Sequence, residues 1–205
     1  MRTRVKMCGI TRLEDALVCV DAGAAAVGFN FWPGSKRRVP VPRAVEIAAA
    51  LPREVLRVGV FVRASPEEVR TAVTAVGLDA VQLHGDEDPA DYARLGVPLW
   101  QVLRLESSLP GSVSPDAAAL LLDARVEGFG GSGRTFDWSL AQGARRFGLP
   151  FWVAGGLTPE NVGEVVRRAA PDGVDVASGI ESRPGVKDVD LVRAFVAAVR
   201  AAEEQ

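Results

Sequence analysis

Eight short apolar runs, separated by segments with helical patterns, are the feature that most restricts the fold of this chain. The runs show little of the alternation typical of half-exposed strands, so they predict strands buried on both faces of a parallel sheet. They cover residues 4–8, 26–29, 56–61, 80–83, 99–103, 120–123, 151–154 and 174–177. Eight strands alternating with helices favour a closed (β/α)8 barrel over an open doubly wound sheet, which usually has fewer strands and one switch point.

Helix-start signals between the runs support this alternation. Ser65-Pro66-Glu67-Glu68 is a capping box with proline at the first helical position, and Thr11-Arg12-Leu13-Glu14 has the same form. Thr158-Pro159 predicts a third helix start, and Asp188 is the predicted cap of the last helix. The stretch at 104–115 is rich in Ser, Gly and Pro and predicts no full helix after the fifth strand.

Composition limits the class of protein and its partners. The length of 205 residues suits one barrel, and without a linker the expectation is a single domain over residues 1–205. A net charge of -2 predicts no nucleic-acid partner, and no apolar stretch approaches the length of a membrane-spanning helix. Two cysteines do not make a disulfide framework, so a cytoplasmic protein with a small-molecule partner is expected, either as a monomer or as a homodimer.

Polar side chains at the predicted strand ends are the candidates for an active site, because barrel enzymes build their sites from the loops that follow the strands. These candidates are Cys8, Arg37, Gln82, His84, Asp123, Asp175 and Ser178. Each also has an ordinary structural interpretation. Free cysteine is among the most buried residue types, Arg37 fits a solvated basic turn, and Asp123 fits a loop cap or an ion-pair partner.

Cys8 and Asp123 are the candidate base and acid. Cys8 ends the first predicted strand, and its thiolate is a possible general base if Lys6 or the helix predicted to start at Thr11 favours the charged form. Asp123 closes an apolar run, where a carboxyl group suits a general acid. An acid and a base at one barrel mouth indicate proton-transfer chemistry.

The remaining candidates suggest how a substrate would be held. Arg37 suits bidentate binding of a carboxylate, while Gln82, His84 and Asp175 face inward by strand phase and are expected in the wall of the site. His84 is the only histidine, and Cys8 and Cys19 lack the spacing of zinc ligands, so no metal site is predicted.

Glycine-rich loops predict a phosphorylated ligand. The loops after the seventh and eighth strands form the usual phosphate site of barrels, and here they contain Gly155, Gly156, Ser178 and Gly179. A further run after the sixth strand, Gly130-Gly131-Ser132-Gly133, suits either an anion-binding loop or a lid. Neither a Walker motif nor a dinucleotide-binding motif is present in the sequence.

Several short motifs follow one another from Lys6 to the last predicted helix. They are Lys6-Met7-Cys8-Gly9-Ile10-Thr11, Gly28-Phe29 with Ser35-Lys36-Arg37, Arg57-Val58-Gly59-Val60-Phe61, Gln82-Leu83-His84-Gly85, Leu122-Asp123, Gly130 to Trp138, Gly155-Gly156-Leu157 with Asn161-Val162, and Asp175-Val176-Ala177-Ser178-Gly179. In this order and spacing they resemble the phosphoribosylanthranilate isomerases of tryptophan biosynthesis. Some members of that family have Val-Ser-Ser-Gly in place of the last four residues.

The resemblance implies a (β/α)8 barrel that needs no cofactor and rearranges N-(5-phosphoribosyl)anthranilate to 1-(2-carboxyphenylamino)-1-deoxyribulose 5-phosphate. It implies Asp123 as general acid, Cys8 as general base and Arg37 as the ligand of the anthranilate carboxylate. It also implies that main-chain amides around Gly155, Gly156, Ser178 and Gly179 hold the phosphate.

Two other functions are compatible with a barrel of this kind. Another phosphosugar enzyme is one, although an epimerase would need several metal-binding histidines and a synthase would need lysines within its strands. A non-catalytic barrel that binds phosphorylated metabolites is the other, and it predicts loss of the acid or the base. Both Cys8 and Asp123 are present.

Overall fold

The computed structural model describes residues 2–105, 108–124 and 138–204, and its main sheet is a closed barrel of eight parallel strands in sequence order. The predicted fold class is confirmed. The strands are β1 Arg4–Cys8, β2 Ala26–Asn30, β3 Leu56–Phe61, β4 Ala80–Leu83, β5 Leu99–Leu105, β6 Ala117–Ala124, β7 Phe151–Ala154 and β8 Gly173–Val176. A short antiparallel hairpin of β9 Glu181–Arg183 and β10 Val186–Lys187, which the sequence patterns did not predict, follows β8.

Helices cover much of the outer surface of the barrel. They are α1 Leu13–Asp21, α2 Val41–Ala49, α3 Pro66–Val76, α4 Trp138–Gln142, α5 Val162–Ala169 and α6 Val189–Glu203. Only a 3-10 segment, Pro89–Leu95, separates β4 from β5, and residues 108–116 form no helix before β6, as the composition of that stretch predicts. Within the described ranges, no helix has the length and apolar character needed to cross a membrane.

Two predicted helix starts are confirmed and two are wrong. Ser65 makes both bonds of a capping box with Glu68, and Asp188 accepts from two main-chain amides of α6. Thr11 does not cap α1, because its hydroxyl donates instead to the carbonyl oxygen of Gly185 at 2.6 Å. Thr158 does not cap α5, which begins only at Val162.

The loop before α5 forms a local turn. The side chain of Asn161 accepts from the amide of Thr158 at 2.8 Å and donates to the carbonyl of Gly156 at 2.9 Å. These bonds compete with a continued helix and explain the late start of α5. They also fix the shape of the loop that follows β7.

The lower part of the barrel interior is filled by two tryptophans. The rings of Trp100 and Trp152 lie 4.8 Å apart between centroids, and small residues on other strands, including Ala26 and Ala80, leave room for them. A Cβ atom at Gly173 would lie 2.3 Å from the Trp152 ring. This apolar layer closes the end of the barrel remote from the candidate site.

A polar layer lies two residues further along the strands. It contains Lys6 on β1, Gln82 on β4 and Asp175 on β8, all of them buried. Successive inward residues in a strand are two positions apart, so the next inward positions reach the carboxyl ends of the strands. Cys8 and Asp123 occupy such ends on β1 and β6.

Candidate active site

A cavity of about 450 Å³ opens at the carboxyl ends of the strands. Nine of the residues that the sequence predicts for the site line it: Cys8, Arg37, Gln82, His84, Asp123, Gly155, Gly156, Asp175 and Ser178. Gly179 does not line it. A Cβ atom there would lie 1.9 Å from the carbonyl oxygen of Leu157, so this glycine lets the loops after β7 and β8 pack closely. The predicted loop Gly130, Gly131, Ser132 and Gly133 lies outside the described residues.

Cys8 is a free, partly buried thiol against a glycine of the neighbouring strand. A Cβ atom at Gly28 would lie 2.7 Å from its sulfur, so only glycine leaves the thiol this position. Burial raises the pKa of Cys8 above its ordinary value, while the ammonium groups of Lys6 and Lys187 oppose this rise. The expectation that Lys6 favours the thiolate is correct for Lys6 alone, but burial is the larger effect.

The Lys6 side chain lies next to Cys8 and is hydrogen-bonded to two other buried side chains in the barrel interior. Its Nζ donates to Asp175 Oδ2 at 2.9 Å and to Gln82 Oε1 at 3.0 Å. Burial is the largest single effect and lowers the pKa of Lys6, but the charges and hydrogen bonds of Asp175 and Cys8 together outweigh it, so the pKa of Lys6 is raised. Among the described residues, the second carboxylate oxygen of Asp175 has no hydrogen-bond partner, and Asp175 lines the cavity.

Hydrogen bonds run from Lys6 through Gln82 to His84, which lies beside the candidate acid. An ammonium group only donates, so Gln82 accepts through its oxygen and offers its amide N–H to His84 Nδ1 at 3.0 Å. A neutral His84 that accepts at Nδ1 carries its proton on Nε2. That nitrogen lies 3.3 Å from Asp123 Oδ2. His84 and Asp123 therefore face each other at ion-pair distance in the wall of the cavity.

Arg37 extends from the loop after β2 into the cavity and is held by an acidic residue that the sequence did not single out. Its Nε lies 2.9 Å and 3.0 Å from the two carboxylate oxygens of Glu181, and its Nη2 lies 2.7 Å from Glu181 Oε2. This bond raises the pKa of Arg37. Gly9, with φ of +75°, leaves room for the Arg37 stem, since a Cβ atom there would lie 2.5 Å from Arg37 Cδ.

Lys187 completes this cluster and was also missed. Its Nζ donates to the carbonyl oxygen of Cys8 at 2.7 Å, to that of Ala177 at 3.1 Å and to Glu181 Oε1 at 3.0 Å. Although burial opposes ionisation of Glu181, Arg37 and Lys187 together lower its pKa. The Pro184-Gly185 dipeptide between charged residues is a turn signal that could have revealed the hairpin and both residues.

The loops after β7 and β8 form a further part of the cavity wall. Gly155 and Gly156 have φ angles of +92° and +63°, which bend the main chain sharply at the end of β7. Ser178 follows β8 beside them and also lines the cavity. Arg104, a further lining residue that the sequence reasoning did not select, donates to the carbonyl oxygen of His84 at 2.5 Å.

Comparison with known proteins identifies the family. The sequence profile of N-(5'-phosphoribosyl)anthranilate (PRA) isomerase matches residues 5–198. The chain belongs to the PRA isomerase family. This assignment decides against the alternative phosphosugar enzymes, and it agrees with the resemblance read from the motifs.

Individual PRA isomerases match over nearly the whole chain. The chain is 49% identical to the N-(5'-phosphoribosyl)anthranilate isomerase of Myxococcus xanthus over 98% of its own length and 97% of the relative. It resembles the crystal structure of the Thermus thermophilus enzyme with a TM-score of 0.87 at 40% identity, covering 97% of this chain and 99% of the other.

A further solved PRA isomerase carries a ligand. It is a complex with reduced 1-(o-carboxyphenylamino)-1-deoxyribulose 5-phosphate, and it matches with a TM-score of 0.83 at 37% identity over 97% of this chain and 99% of the other. The family's architecture is therefore shared along essentially the full length of the barrel.

Proposed function

We propose that this chain catalyses the Amadori rearrangement of N-(5-phosphoribosyl)anthranilate to 1-(2-carboxyphenylamino)-1-deoxyribulose 5-phosphate in tryptophan biosynthesis, with Asp123 as general acid and Cys8 as general base. The observation that carries the proposal is that Cys8 and Asp123 line one cavity, each with a polar neighbour suited to its role. Membership of the family supports the reaction, and the contacts of Cys8 and Asp123 support their roles in it.

In the first step Asp123 gives its proton to the ring oxygen of the ribose. The bond between C1 and that oxygen breaks, and the lone pair of the anthranilate nitrogen forms a C=N bond with C1. The Asp123 carboxylate that results accepts a hydrogen bond from His84, whose Nε2 lies 3.3 Å away. A donor aimed at a developing negative charge lowers the barrier of the step that creates it.

In the second step the Cys8 thiolate removes the proton from C2. The electrons of the C2–H bond form a C1=C2 bond, and the C=N pair returns to nitrogen, which gives an enolamine. Tautomerisation then makes C2 a ketone and leaves C1 with the added hydrogen, so C2 is oxidised and C1 is reduced within one molecule. Lys6 and Lys187 favour the thiolate that this step needs, since each lowers the pKa of Cys8 against the effect of burial.

The cavity provides binding groups at both ends of such a substrate. Arg37 suits the anthranilate carboxylate, and the main chain around Gly155, Gly156 and Ser178 suits the phosphate. Asp175 lines the same cavity and holds Lys6 beneath the reacting groups. Cys8 must be a free thiol for this chemistry, so we place the enzyme in the reducing cytoplasm.

The test is the loss of anthranilate fluorescence from freshly prepared substrate. Protein purified from a host that lacks its own isomerase should accelerate the decay far beyond the rate without enzyme. Cys8→Ser protein purified in parallel controls for a contaminating activity. Absence of an accelerated decay at micromolar enzyme overturns the proposed function.

A further inference from the structure

The β9–β10 hairpin places a buried acid and a buried base directly behind Arg37. We propose that Lys187 is a positioning residue that balances the charge of Glu181 and so makes Arg37 a net cationic receptor for the aromatic carboxylate of the substrate. This inference deepens the proposed function and rests on it for the identity of the ligand. It assigns a role to a hairpin that carries neither the acid nor the base.

The geometry of Arg37 leaves part of its guanidinium group for a ligand. Nε and Nη2 are engaged by Glu181, whereas Nη1 has no hydrogen-bond partner among the described residues. The Arg37 side chain is 26% exposed and faces the cavity, while Glu181 is only 3% exposed. The ion pair therefore holds the guanidinium group through Nε and Nη2 and leaves the edge that carries Nη1 available to the cavity.

The ion pair alone would be a poor receptor for an anion. Arg37 and Glu181 together carry no net charge, and the negative charge of Glu181 behind the guanidinium group would weaken the attraction of Arg37 for a substrate carboxylate. Lys187 Nζ, 3.0 Å from Glu181 Oε1 and 1% exposed, adds a second positive charge. The three side chains then carry a net charge of about +1, and low solvent exposure limits the screening of that charge.

Lys187 also connects this receptor to the base. The three donors of its ammonium group are used by Glu181 and by the carbonyl oxygens of Cys8 and Ala177. Its main-chain N–H is held by Asp15 Oδ2 at 3.1 Å. One side chain thus links the end of β1, the loop after β8 and the Arg37–Glu181 pair, so the carboxylate receptor and the thiol keep a fixed relation.

Binding measurements with two probes separate charge balance from general support of the fold. One probe is the reduced 1-(o-carboxyphenylamino)-1-deoxyribulose 5-phosphate seen in the related structure, and the other is its aniline counterpart, which lacks the carboxylate. Lys187→Met should weaken binding of the carboxylate probe about 10- to 100-fold, in line with the loss of a buried charge partner. Binding of the aniline probe should change less than about threefold, because that probe has no charge at the Arg37 end. Arg37→Ala, the positive control, should lose the same selectivity.

The double variant Lys187→Met with Glu181→Gln is the decisive comparison. It removes one positive and one negative charge, restores the net charge around Arg37, and should recover most of the preference for the carboxylate probe. Equal weakening of both probes in Lys187→Met, or no recovery in the double variant, overturns the proposal.

The binding test does not depend on whether Lys187→Met folds or on whether the protein turns over substrate. If Lys187→Met does not fold, the double variant, which leaves no buried carboxylate uncompensated, carries the test: retained carboxylate preference supports charge balance and lost preference overturns it. Both readouts are dissociation constants from calorimetry and need no turnover. If the variants change probe binding as expected but the wild-type protein does not turn over substrate, the proposed function is contradicted while the role of Lys187 in binding remains supported.

Discussion

The two sides of the cavity are built differently. The base wall, formed by Cys8 and Arg37, is supported from behind by two charged side chains that are almost fully buried, with exposures of 3% for Glu181 and 1% for Lys187. The acid wall, formed by His84, Arg104 and Asp123, is more open, with side-chain exposures of 29% for His84 and 26% for Asp123.

This difference matches the two proton transfers in the proposed reaction. A proton on carbon forms no useful hydrogen bond in the ground state, so its removal depends on a base held in position by the protein. A ring oxygen already accepts hydrogen bonds, so its protonation tolerates an acid close to solvent. For the acid, one polar neighbour beside Asp123 is therefore enough. The base depends on several buried charged side chains that hold it in position.

Removal of either reacting group should have the largest effect. Cys8→Ser and Asp123→Asn should each lower kcat by about 10²- to 10⁴-fold, because each removes a positioned proton-transfer group. Steady-state kinetics measures the loss, and circular dichroism with thermal melting checks that the fold is intact. A variant with near-normal turnover would remove that residue from its assigned role and break the comparison between the walls.

A smaller effect is expected from crowding the base without changing it. In Gly28→Ala the new Cβ atom would lie 2.7 Å from the Cys8 sulfur, so the thiol must move. A displacement on the order of 1 Å in a reacting group costs about 100-fold in rate. Gly111→Ala is the matched control, since nothing lies within 4 Å of a Cβ atom there. Equal kcat in both variants would show that the close contact of Cys8 with β2 does not position the base.

The pH dependence of thiol alkylation reports the base wall directly. Because burial raises the pKa of Cys8, the iodoacetamide reaction should accelerate with pH through the neutral range and reach its midpoint above 9.0. Cys19, whose burial raises its pKa to about 12, should stay unmodified in the native protein. Lys187→Met should move the Cys8 midpoint higher, as Lys187 lowers that pKa. Mass spectrometry after timed quenching gives both rates, and a midpoint below neutrality would contradict the burial effect.

The smallest effect concerns stability in acid. The pKa of Glu181 is lower in the folded chain than its ordinary value of 4.5, so its carboxylate contributes stability above 4.5 that is lost as the pH falls through the folded-state pKa. Glu181→Gln should therefore flatten the fall of Tm below pH 4.5, whereas Glu46→Gln, on the exposed surface, should keep the wild-type fall. Parallel acid curves for the wild type and Glu181→Gln would show that the ion pair adds nothing in this range.

The strands were predictable because buried parallel strands are nearly continuous apolar runs, and all eight appear within three residues of their expected bounds. Ser65 and Asp188 were predictable as caps because their partners are the next residues along the chain. Thr11 was not, because its hydroxyl bonds to Gly185, which is remote in sequence. Local rules fail where a tertiary contact offers a competing partner.

The same division holds in the site. Cys8, Arg37 and Asp123 stand at strand ends or in the loops after strands, where the barrel geometry directs attention. The turn signal at Pro184-Gly185 indicates a hairpin, but the roles of Glu181 and Lys187 follow only from the folded chain, since their partners are the Arg37 side chain and a main-chain carbonyl. A local turn signal marks where such residues lie in the sequence, but it does not show which remote residues they contact.

The buried Lys6–Asp175 pair also bears on how the barrel closes. Lys6 and Asp175 are direct partners in the pairing of β1 with β8, which joins the first strand to the last. If β1 slipped by one residue, Met7 would take the place of Lys6, and the ammonium group would lie in the apolar layer beneath the helices. Breaking the buried Lys6–Asp175 pair in this way would cost about 3–5 kcal/mol of stability. The charges beneath the reacting groups therefore select the register in which the two ends of the sheet meet, so that a chain closed in the wrong register is disfavoured during folding.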